Sequence, residues 1–248
     1  LVNSEIRKKI KKIKKNKKRF NIEKQKEIIS KLDFTLTSDQ IKTLNEINKD
    51  LCSENKMFRL LQGDVGSGKT IVALTACLNV IQSNYQVAFM APTEILAKQH
   101  YELAKKIFDK NINISLLTSK TENNLRKKIL YDLNNNKINM LFGTHSLFQK
   151  NIKFFNLGLI VIDEQHKFGV KQRSELAKKG GNNCDVLLMS ATPIPRTMMM
   201  SLYGDMDISK ITEKPSNRKK IITLSKPEKK IDELWPYIKK QIENNNQV

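Results

Sequence analysis

The chain has 248 residues, 39% of them hydrophobic, which is enough to bury the core of a globular domain. Its longest apolar runs stop well short of the roughly 18 to 20 residues that a membrane span needs. The basic N-terminal segment has no apolar core or cleavage site of the signal-peptide kind. The sequence therefore predicts a cytoplasmic protein with no membrane partner.

Basic residues dominate the charge of the chain. Lysine and arginine number 45 against 25 acidic residues, which gives a net charge of +20. Such a balance commonly marks a partner built from phosphates. Lysine far outnumbers arginine, and asparagine and isoleucine are abundant, which is also what an A/T-rich coding sequence would produce. Charge alone therefore leaves nucleic-acid binding as one of two explanations.

The cysteines predict neither disulfides nor a zinc site. Cys52, Cys77 and Cys184 are too far apart for a CxxC pair, and an odd number does not suit a disulfide framework. The three histidines show no metal-ligand spacing with them. We expect three reduced, packed thiols.

A strongly basic segment opens the chain. Within it Ile6, Ile10 and Ile13 recur at helical spacing, which predicts a basic helical linker over residues 1–33. Two interpretations stay open: a solvated helix that joins an upstream domain, and a helix that contacts DNA directly.

Short apolar runs alternate with amphipathic segments from residue 57 onward. This alternation is typical of an α/β fold in which a parallel sheet carries helices on both faces. The expected strands are MFRLLQ (57–62), QVAFMA (86–91), INISLL (112–117), INMLFG (138–143), LGLIVI (157–162) and DVLLMS (185–190). A strand-like IITLS (221–225) and a helical stretch from residue 228 predict the start of a second unit over residues 219–248.

GDVGSGKT, residues 63–70, fits the phosphate-loop pattern G-x-x-x-x-G-K-[ST] between a predicted strand and a predicted helix. Its backbone N–H groups and the helix N-terminus suit the phosphates of ATP. We expect Lys69 to reach the β- and γ-phosphates and Thr70 to place its hydroxyl on Mg²⁺. The predicted nucleotide-binding residues of this loop are Gly63, Asp64, Val65, Gly66, Ser67, Gly68, Lys69 and Thr70.

Two neighbouring acids, Asp163 and Glu164, directly follow the apolar run LGLIVI. Parallel strands end on the same edge of a sheet, so these acids should lie beside the phosphate loop. We predict that Asp163 holds Mg²⁺ through water and that Glu164, catalytic together with Lys69, orients and deprotonates the attacking water. The alternative, that both acids cap the following helix, does not explain their pairing with a phosphate loop.

DEQH at residues 163–166, together with the phosphate loop, resembles the superfamily 2 DNA helicases and most closely the RecG-type branched-DNA helicases. The related transcription-repair coupling translocases typically have DEEH and an aromatic residue in the phosphate loop, where Gln165 and Ser67 stand here. The stretches FTLTSDQ (34–40), APTEILAKQH (91–100), GTHSLFQ (143–149) and SATPIPRT (190–197) also resemble the RecG-type family. The resemblance runs from about Phe34 to Arg218 and implies a RecA-like P-loop NTPase lobe over residues 34–218.

This resemblance implies further site residues, with ATP and Mg²⁺ as cofactors. Nucleotide binding would also involve Phe34 and Gln40, with Gln40 as the residue that reads adenine. Coupling of hydrolysis to movement would fall to His166, Ser190, Thr192 and Arg196, with the two hydroxyls between the acids and the DNA edge. DNA contacts would come from Pro92, Thr93, Gln99, Thr144 and His145, although Thr93 could equally be an ordinary helix cap.

The family resemblance also implies a function. It indicates the motor lobe of an ATP-dependent DNA helicase that acts on stalled forks and Holliday junctions, with branched or single-stranded DNA as partner and, in a bacterium, a place at the nucleoid. The family's wedge domain and second lobe, with its arginine finger, would be partners in cis outside this sequence. Since that arginine is worth on the order of 10³ to 10⁵ in rate, we expect this chain alone to bind nucleotide but hydrolyse it poorly. Two alternatives stay open: the lobe of a transcription-repair coupling translocase, and a DNA-binding module that ATP switches without strand separation.

Overall fold

The computed structural model describes residues 14–149, 151–164, 181–192, 206–213, 225 and 227–247. The strands are β1 (Phe58–Gly63), β2 (Gln86–Met90), β3 (Ile114–Leu117), β4 (Met140–Gly143), β5 (Leu157–Ile162), β6 (Asp185–Ser190) and β7 (Asp207–Ile211). The α-helices are α1 (Ile22–Ser30), α2 (Ser38–Leu51), α3 (Lys69–Gln82), α4 (Glu94–Ile107), α5 (Asn123–Asn134) and α6 (Leu234–Glu243). Short 3₁₀ turns occupy His145–Phe148, Gly181–Asn183 and Glu228–Glu233.

The seven strands form one parallel sheet in the order β3-β4-β2-β5-β6-β1-β7. The six strands predicted between residues 57 and 190 are confirmed, as is the predicted α/β class. Sequence analysis missed β7, because this edge strand has only two apolar residues, Ile208 and Ile211, and contains no apolar run. The strand predicted at residues 221–225 lies outside the described residues apart from Ser225.

Hydrophobic residues on both faces of the sheet hold it between its helices. Strand side chains alternate between the two faces, so Leu61 joins the core cluster that contains α3 while its neighbour Leu60 joins the cluster on the opposite face. Helix α3 is buried along nearly its whole length, from Ile71 to Ile81. The phosphate loop therefore leads into a rigid, buried helix.

Residues 14–20, which we call the N-terminal strap, are not helical, so the helix predicted for this segment is wrong over these residues. The cause is tertiary: Lys15 and Lys18 are buried against Asp185 at the amino end of β6, with each Nζ 2.6 Å from Oδ2. These ion pairs override the local helical pattern. Residues 1–13 of the predicted linker lie outside the described residues.

The chain divides into two compact units, Leu1–Pro215 and Ser216–Val248. The first holds the sheet, and the second holds α6. That residues 219–248 begin a second lobe stays a prediction. No helix among the described residues is long and apolar enough to cross a membrane.

All three cysteines are free thiols, as predicted. Cys77 and Cys184 are buried, whereas Cys52 is partly exposed. Burial raises the pKa of the Cys184 thiol to about 12 and raises the pKa of Cys77 as well. The two buried thiols are therefore protonated packing groups rather than nucleophiles.

Candidate functional site at the carboxyl edge of the sheet

The carboxyl ends of the parallel strands lie on one edge of the sheet, and strand order decides which loops are neighbours there. The loops after β3, β4 and β2 form one half of this edge, and the loops after β5, β6 and β1 form the other. Adjacent strands are about 4.8 Å apart, which separates the loops after β2 and β1 by roughly 14 Å. Predicted loop contacts to DNA fall in the first half, and the phosphate loop and paired acids fall in the second.

The phosphate loop joins β1 directly to α3. Gly68 is the N-cap of α3 and has φ 85°, in the left-handed region that favours glycine. No side chain caps this helix N-terminus, so its N–H groups and positive dipole are presented as an anion site. Lys69 folds back onto the loop, where its Nζ donates to Gly63 O at 2.7 Å and Asp64 O at 3.0 Å.

A buried hydroxyl in the loop supports the assignment to a phosphate ligand. Ser67 is 3% exposed, and its Oγ has no hydrogen-bond partner in the part of the chain that the structure describes. A buried hydroxyl of this kind commonly marks an unfilled polar site. The loop residues thus fit the phosphates of ATP.

Charges converge on Lys69 from the neighbouring strands. Burial lowers the pKa of the Lys69 ammonium, while the carboxylates of Asp163, Glu164 and Asp64 act in the opposite direction. Strand order agrees with this proximity, because β5, which the paired acids follow, is separated from β1 and its phosphate loop only by β6. The edge therefore brings one cation and three carboxylates around the place where phosphates would bind.

Asp163 and Glu164 differ in their surroundings. Asp163 is buried, its backbone N–H donates to Met90 O at 2.8 Å, and its Oδ2 lies 2.8 Å from His100 Nε2. Glu164 is partly exposed and has φ 50°, whereas the other non-glycine residues with positive φ in the described ranges are all asparagines. A glutamate held in the left-handed region at the end of a core strand is an outlier of the kind found at functional sites.

Thr70 and Asp163 are the residues that could hold Mg²⁺ at this edge. Within the described ranges no group of three or more histidine, cysteine or acidic side chains could hold a metal ion. The hydroxyl of Thr70 and the carboxylate of Asp163 suit Mg²⁺, which commonly takes one or two carboxylates and completes its shell with waters and substrate phosphates. Thr70 is partly exposed at the first turn of α3, where its hydroxyl can join such a shell.

The nucleotide-binding residues predicted outside the phosphate loop, Phe34 and Gln40, differ in accessibility. Phe34 is exposed, so its ring is accessible to a nucleotide. Gln40 is only 1% exposed, and its amide is used inside the protein: Nε2 donates to Ser67 O at 2.8 Å, and Oε1 accepts from Thr37 N at 2.8 Å. Gln40 thus ties the start of α2 to the phosphate loop, and its reading of adenine stays a prediction.

Strand order corrects the predicted position of the coupling hydroxyls. Ser190 is the last residue of β6 and Thr192 follows it. Because β6 lies between β5 and β1, both residues stand between the acids and the phosphate loop rather than between the acids and the predicted DNA edge. Their hydroxyls are 3.1 Å apart, and Gln62 Nε2 donates to Thr192 O at 3.1 Å. His166 and Arg196, like Gln165, lie outside the described residues.

The predicted DNA contacts also differ in exposure. Thr93, Gln99 and His145 are exposed, and Pro92 is partly exposed. Thr93 Oγ1 accepts from Leu96 N at 3.3 Å, so it caps α4 as the alternative interpretation proposed. Thr144 is only 6% exposed, which limits its side chain as a phosphate contact.

Sequence analysis missed His100, which contacts the predicted metal ligand. The residue follows Ala97 by three positions and precedes Ala104 by four, and all three are buried on one face of α4. A histidine on the buried face of a helix that follows β2 was the available signal. It was assigned no role because a search for metal-ligand spacing in sequence cannot detect a contact between residues far apart in the chain.

Comparisons with known proteins agree with this geometry. Residues 37–201 match the family model of the DEAD/DEAH box helicases. The chain is 45% identical over 223 residues to the ATP-dependent DNA helicase RecG of Thermotoga maritima, and the aligned region is 90% of this chain and 28% of that protein. It is 44% identical over 233 residues to RecG of Bacillus subtilis, and the aligned region is 94% of this chain and 34% of that protein.

A solved structure of RecG bound to a three-way DNA junction shares the fold with a TM-score of 0.86 at 39% identity, and the match covers 98% of this chain and 33% of that one. The chain thus spans about a third of the length of the RecG proteins that it matches. The family model extends from the turn before α2 past β6, and so includes the phosphate loop and the paired acids. The chain therefore belongs to the DEAD/DEAH box helicase family, and its RecA-like lobe is similar to that of the RecG-type helicases.

Proposed function

We propose that the chain is the motor lobe of an ATP-dependent DNA helicase that remodels branched DNA in recombination and repair. The similarity to RecG proteins supports branched DNA as substrate, since one relative was solved on a three-way junction. Stalled forks and Holliday junctions are the corresponding cellular substrates, in the cytoplasm. The partners in cis would be a second lobe and a wedge domain.

The arrangement of the carboxyl edge carries this proposal. A phosphate loop and two acids occupy one half of the edge, and exposed polar residues after β2 and β4 occupy the other. Because both halves belong to one sheet, nucleotide and DNA would bind to the same rigid body about 14 Å apart. A motor lobe needs this proximity, since the state of the nucleotide must alter the grip on DNA.

The residues of the nucleotide half divide the chemistry among them. Lys69 would leave its two backbone carbonyls and donate to phosphate oxygens, while the N–H groups at the start of α3 hold the remaining phosphate charge. Thr70 and Asp163 would hold Mg²⁺. When bound, Mg²⁺ neutralises charge that develops on the phosphate oxygens. Glu164 would orient water and accept its proton.

Replacing Lys69 by alanine should weaken MgATP binding without unfolding the lobe. A hydrogen bond to a charged group is worth about 1.5–3 kcal/mol, so we expect the dissociation constant to rise about 10- to 100-fold. Titration of a fluorescent ATP analogue into the 248-residue chain measures this. Lys56→Ala is the matched control, because burial also lowers the pKa of Lys56 but its Nζ donates to Gly181 O at the opposite edge. Equal losses in both variants would contradict the assignment.

Replacing His145 by alanine should weaken DNA binding instead. The side chain is exposed after β4, and one neutral hydrogen bond is worth about 0.5–1.5 kcal/mol, so we expect affinity for a labelled three-way junction to fall about 2- to 12-fold. Fluorescence anisotropy at fixed salt measures this, with MgATP affinity unchanged. Asn55→Ala, an exposed residue before β1 at the amino edge, is the control. Unaltered junction binding by the His145 variant would argue against DNA on this half.

A further inference from the structure

The predicted metal ligand Asp163 is held by a histidine from another element. His100 lies on α4, and its Nε2 is 2.8 Å from Asp163 Oδ2. Both side chains are largely buried, with 10% and 12% exposed respectively. Among the described residues, Asp163 Oδ1 has no hydrogen bond.

The His100 ring is itself held in place by packing. It lies against Phe89 of β2, with ring centroids 5.0 Å apart and planes tilted by 55°. The neighbouring buried positions on this face of α4 are the small residues Ala97 and Ala104, which let the helix approach the sheet closely. The imidazole therefore has a fixed orientation toward Asp163.

The chemistry of the pair defines the direction of the hydrogen bond. An ionised carboxylate can only accept, so a histidine that faces it must present an N–H. Nε2 is then the donor, and one oxygen of Asp163 is engaged by a rigid partner. Second-layer hydrogen bonds of this kind orient the ligands of metal sites, and their removal typically costs 10- to 100-fold in metal affinity.

A purely structural histidine would be satisfied equally well by a backbone carbonyl. Here the partner is instead the one buried acid at the carboxyl end of β5, and it acts electrostatically on Lys69 of the phosphate loop. The contact spans 63 positions in sequence, so only the docking of α4 on the sheet creates it.

We propose that His100 is a positioning residue that fixes the Asp163 carboxylate for Mg²⁺. The inference rests on the proposed function, because it concerns how the nucleotide half of the edge holds its metal. His100 does not touch nucleotide or water in this role. It acts through the orientation of Asp163.

The test is a Mg²⁺ titration of nucleotide binding by the 248-residue chain at constant pH, with a fluorescent ADP analogue as probe. In His100→Leu we expect the Mg²⁺ concentration for half-maximal binding to rise at least about 10-fold. Binding of the analogue in EDTA should stay unchanged, because the phosphate loop is intact. His100→Gln should restore most of the Mg²⁺ response, since a glutamine Nε2 can donate from nearly the same place.

Several outcomes would overturn the inference. An unchanged Mg²⁺ midpoint in His100→Leu would do so, as would an equal loss of affinity in EDTA or a glutamine variant no better than leucine. His100→Phe, which keeps the aromatic packing on Phe89, serves in place of the leucine variant if that one does not fold. If the native chain itself fails to bind the analogue with Mg²⁺, the proposed function is overturned together with this inference. If the native chain binds the analogue with Mg²⁺ and His100→Leu has the same Mg²⁺ midpoint, only the inference about His100 is overturned and the proposed function stands.

Discussion

Replacing Glu164 by glutamine is expected to slow ATP hydrolysis by about 10²- to 10⁴-fold, the usual contribution of a general base, while MgATP still binds. Glutamine keeps the size and the hydrogen-bonding reach of glutamate but cannot take a proton from water. Single-turnover hydrolysis of radiolabelled ATP, with a DNA junction present, measures the rate. The amount of unhydrolysed ATP that stays on the protein after filtration measures how much of the variant is held in its ATP complex.

The backbone at Glu164 strengthens this expectation. Its φ of 50° is a conformation that side chains other than asparagine and glycine rarely adopt, and it occurs directly after the buried strand β5. Such strain persists where the surrounding fold dictates it, and it is common at catalytic positions. A residue needed only for surface charge would not require this geometry.

The same variant separates two classes of protein. An ATP-switched DNA-binding module needs nucleotide binding but no base, so Glu164→Gln would change little in it. Glu102→Gln alters an exposed carboxylate on α4 and is the control for loss of one charge. A Glu164 variant that hydrolyses ATP at the native rate would leave the module as the better description of this lobe.

Replacing Asp185 by asparagine should destabilise the lobe by about 3–5 kcal/mol, because it removes the negative partner of two buried ammonium groups. Lys15 and Lys18 have fully buried side chains, and both donate to Asp185 Oδ2. Oδ1 accepts from Met57 N at 2.7 Å, which ties the start of β1 into the same cluster. Urea unfolding followed by circular dichroism measures the change.

The loss in Asp185→Asn should shrink as the pH rises. Burial lowers the pKa of Lys15 from 10.5, against the attraction of Asp185. Between the lowered value and 10.5 the unfolded chain binds more protons than the folded one, so the free energy of unfolding increases with pH in that range. In Asp185→Asn the missing carboxylate lowers the pKa of Lys15 further, so the free energy of unfolding begins to rise at a lower pH than in the native chain. The difference in stability between the two proteins therefore shrinks as the pH rises.

Glu54, which lies outside the strap but faces it, offers a matched control. Its carboxylate also faces two strap lysines, Lys14 at 3.8 Å and Lys17 at 3.3 Å, but it is 54% exposed. Exposed ion pairs contribute little, so Glu54→Gln should change the free energy of unfolding by no more than about 1 kcal/mol. If the Asp185 and Glu54 variants were equally stable, the strap would not be held by its buried charges.

Local patterns were enough to predict much of this molecule. Apolar runs marked six strands because strands buried on both faces read as continuous hydrophobic segments. The phosphate loop was recognisable because glycines, lysine and threonine must be consecutive to surround phosphates. Parallel topology then implied that Asp163 and Glu164 would lie near it.

The errors arose where distant contacts decide the outcome. The strap was predicted as a helix, yet Lys15 and Lys18 bind a carboxylate about 170 positions away in sequence. The hydroxyls of Ser190 and Thr192 were expected on the DNA side of the acids, because the order of strands in a sheet is not written in any one segment.

The amino-acid sequence by itself determined the fold class, the strand positions and the chemistry of the phosphate loop, since each depends on neighbouring residues. Only the tertiary structure decided that Gln40 supports the phosphate loop, that His100 holds Asp163, and that Asp185 binds the strap. These contacts join residues 27 to 170 positions apart, and their geometry exists only once helices and strands have packed against each other.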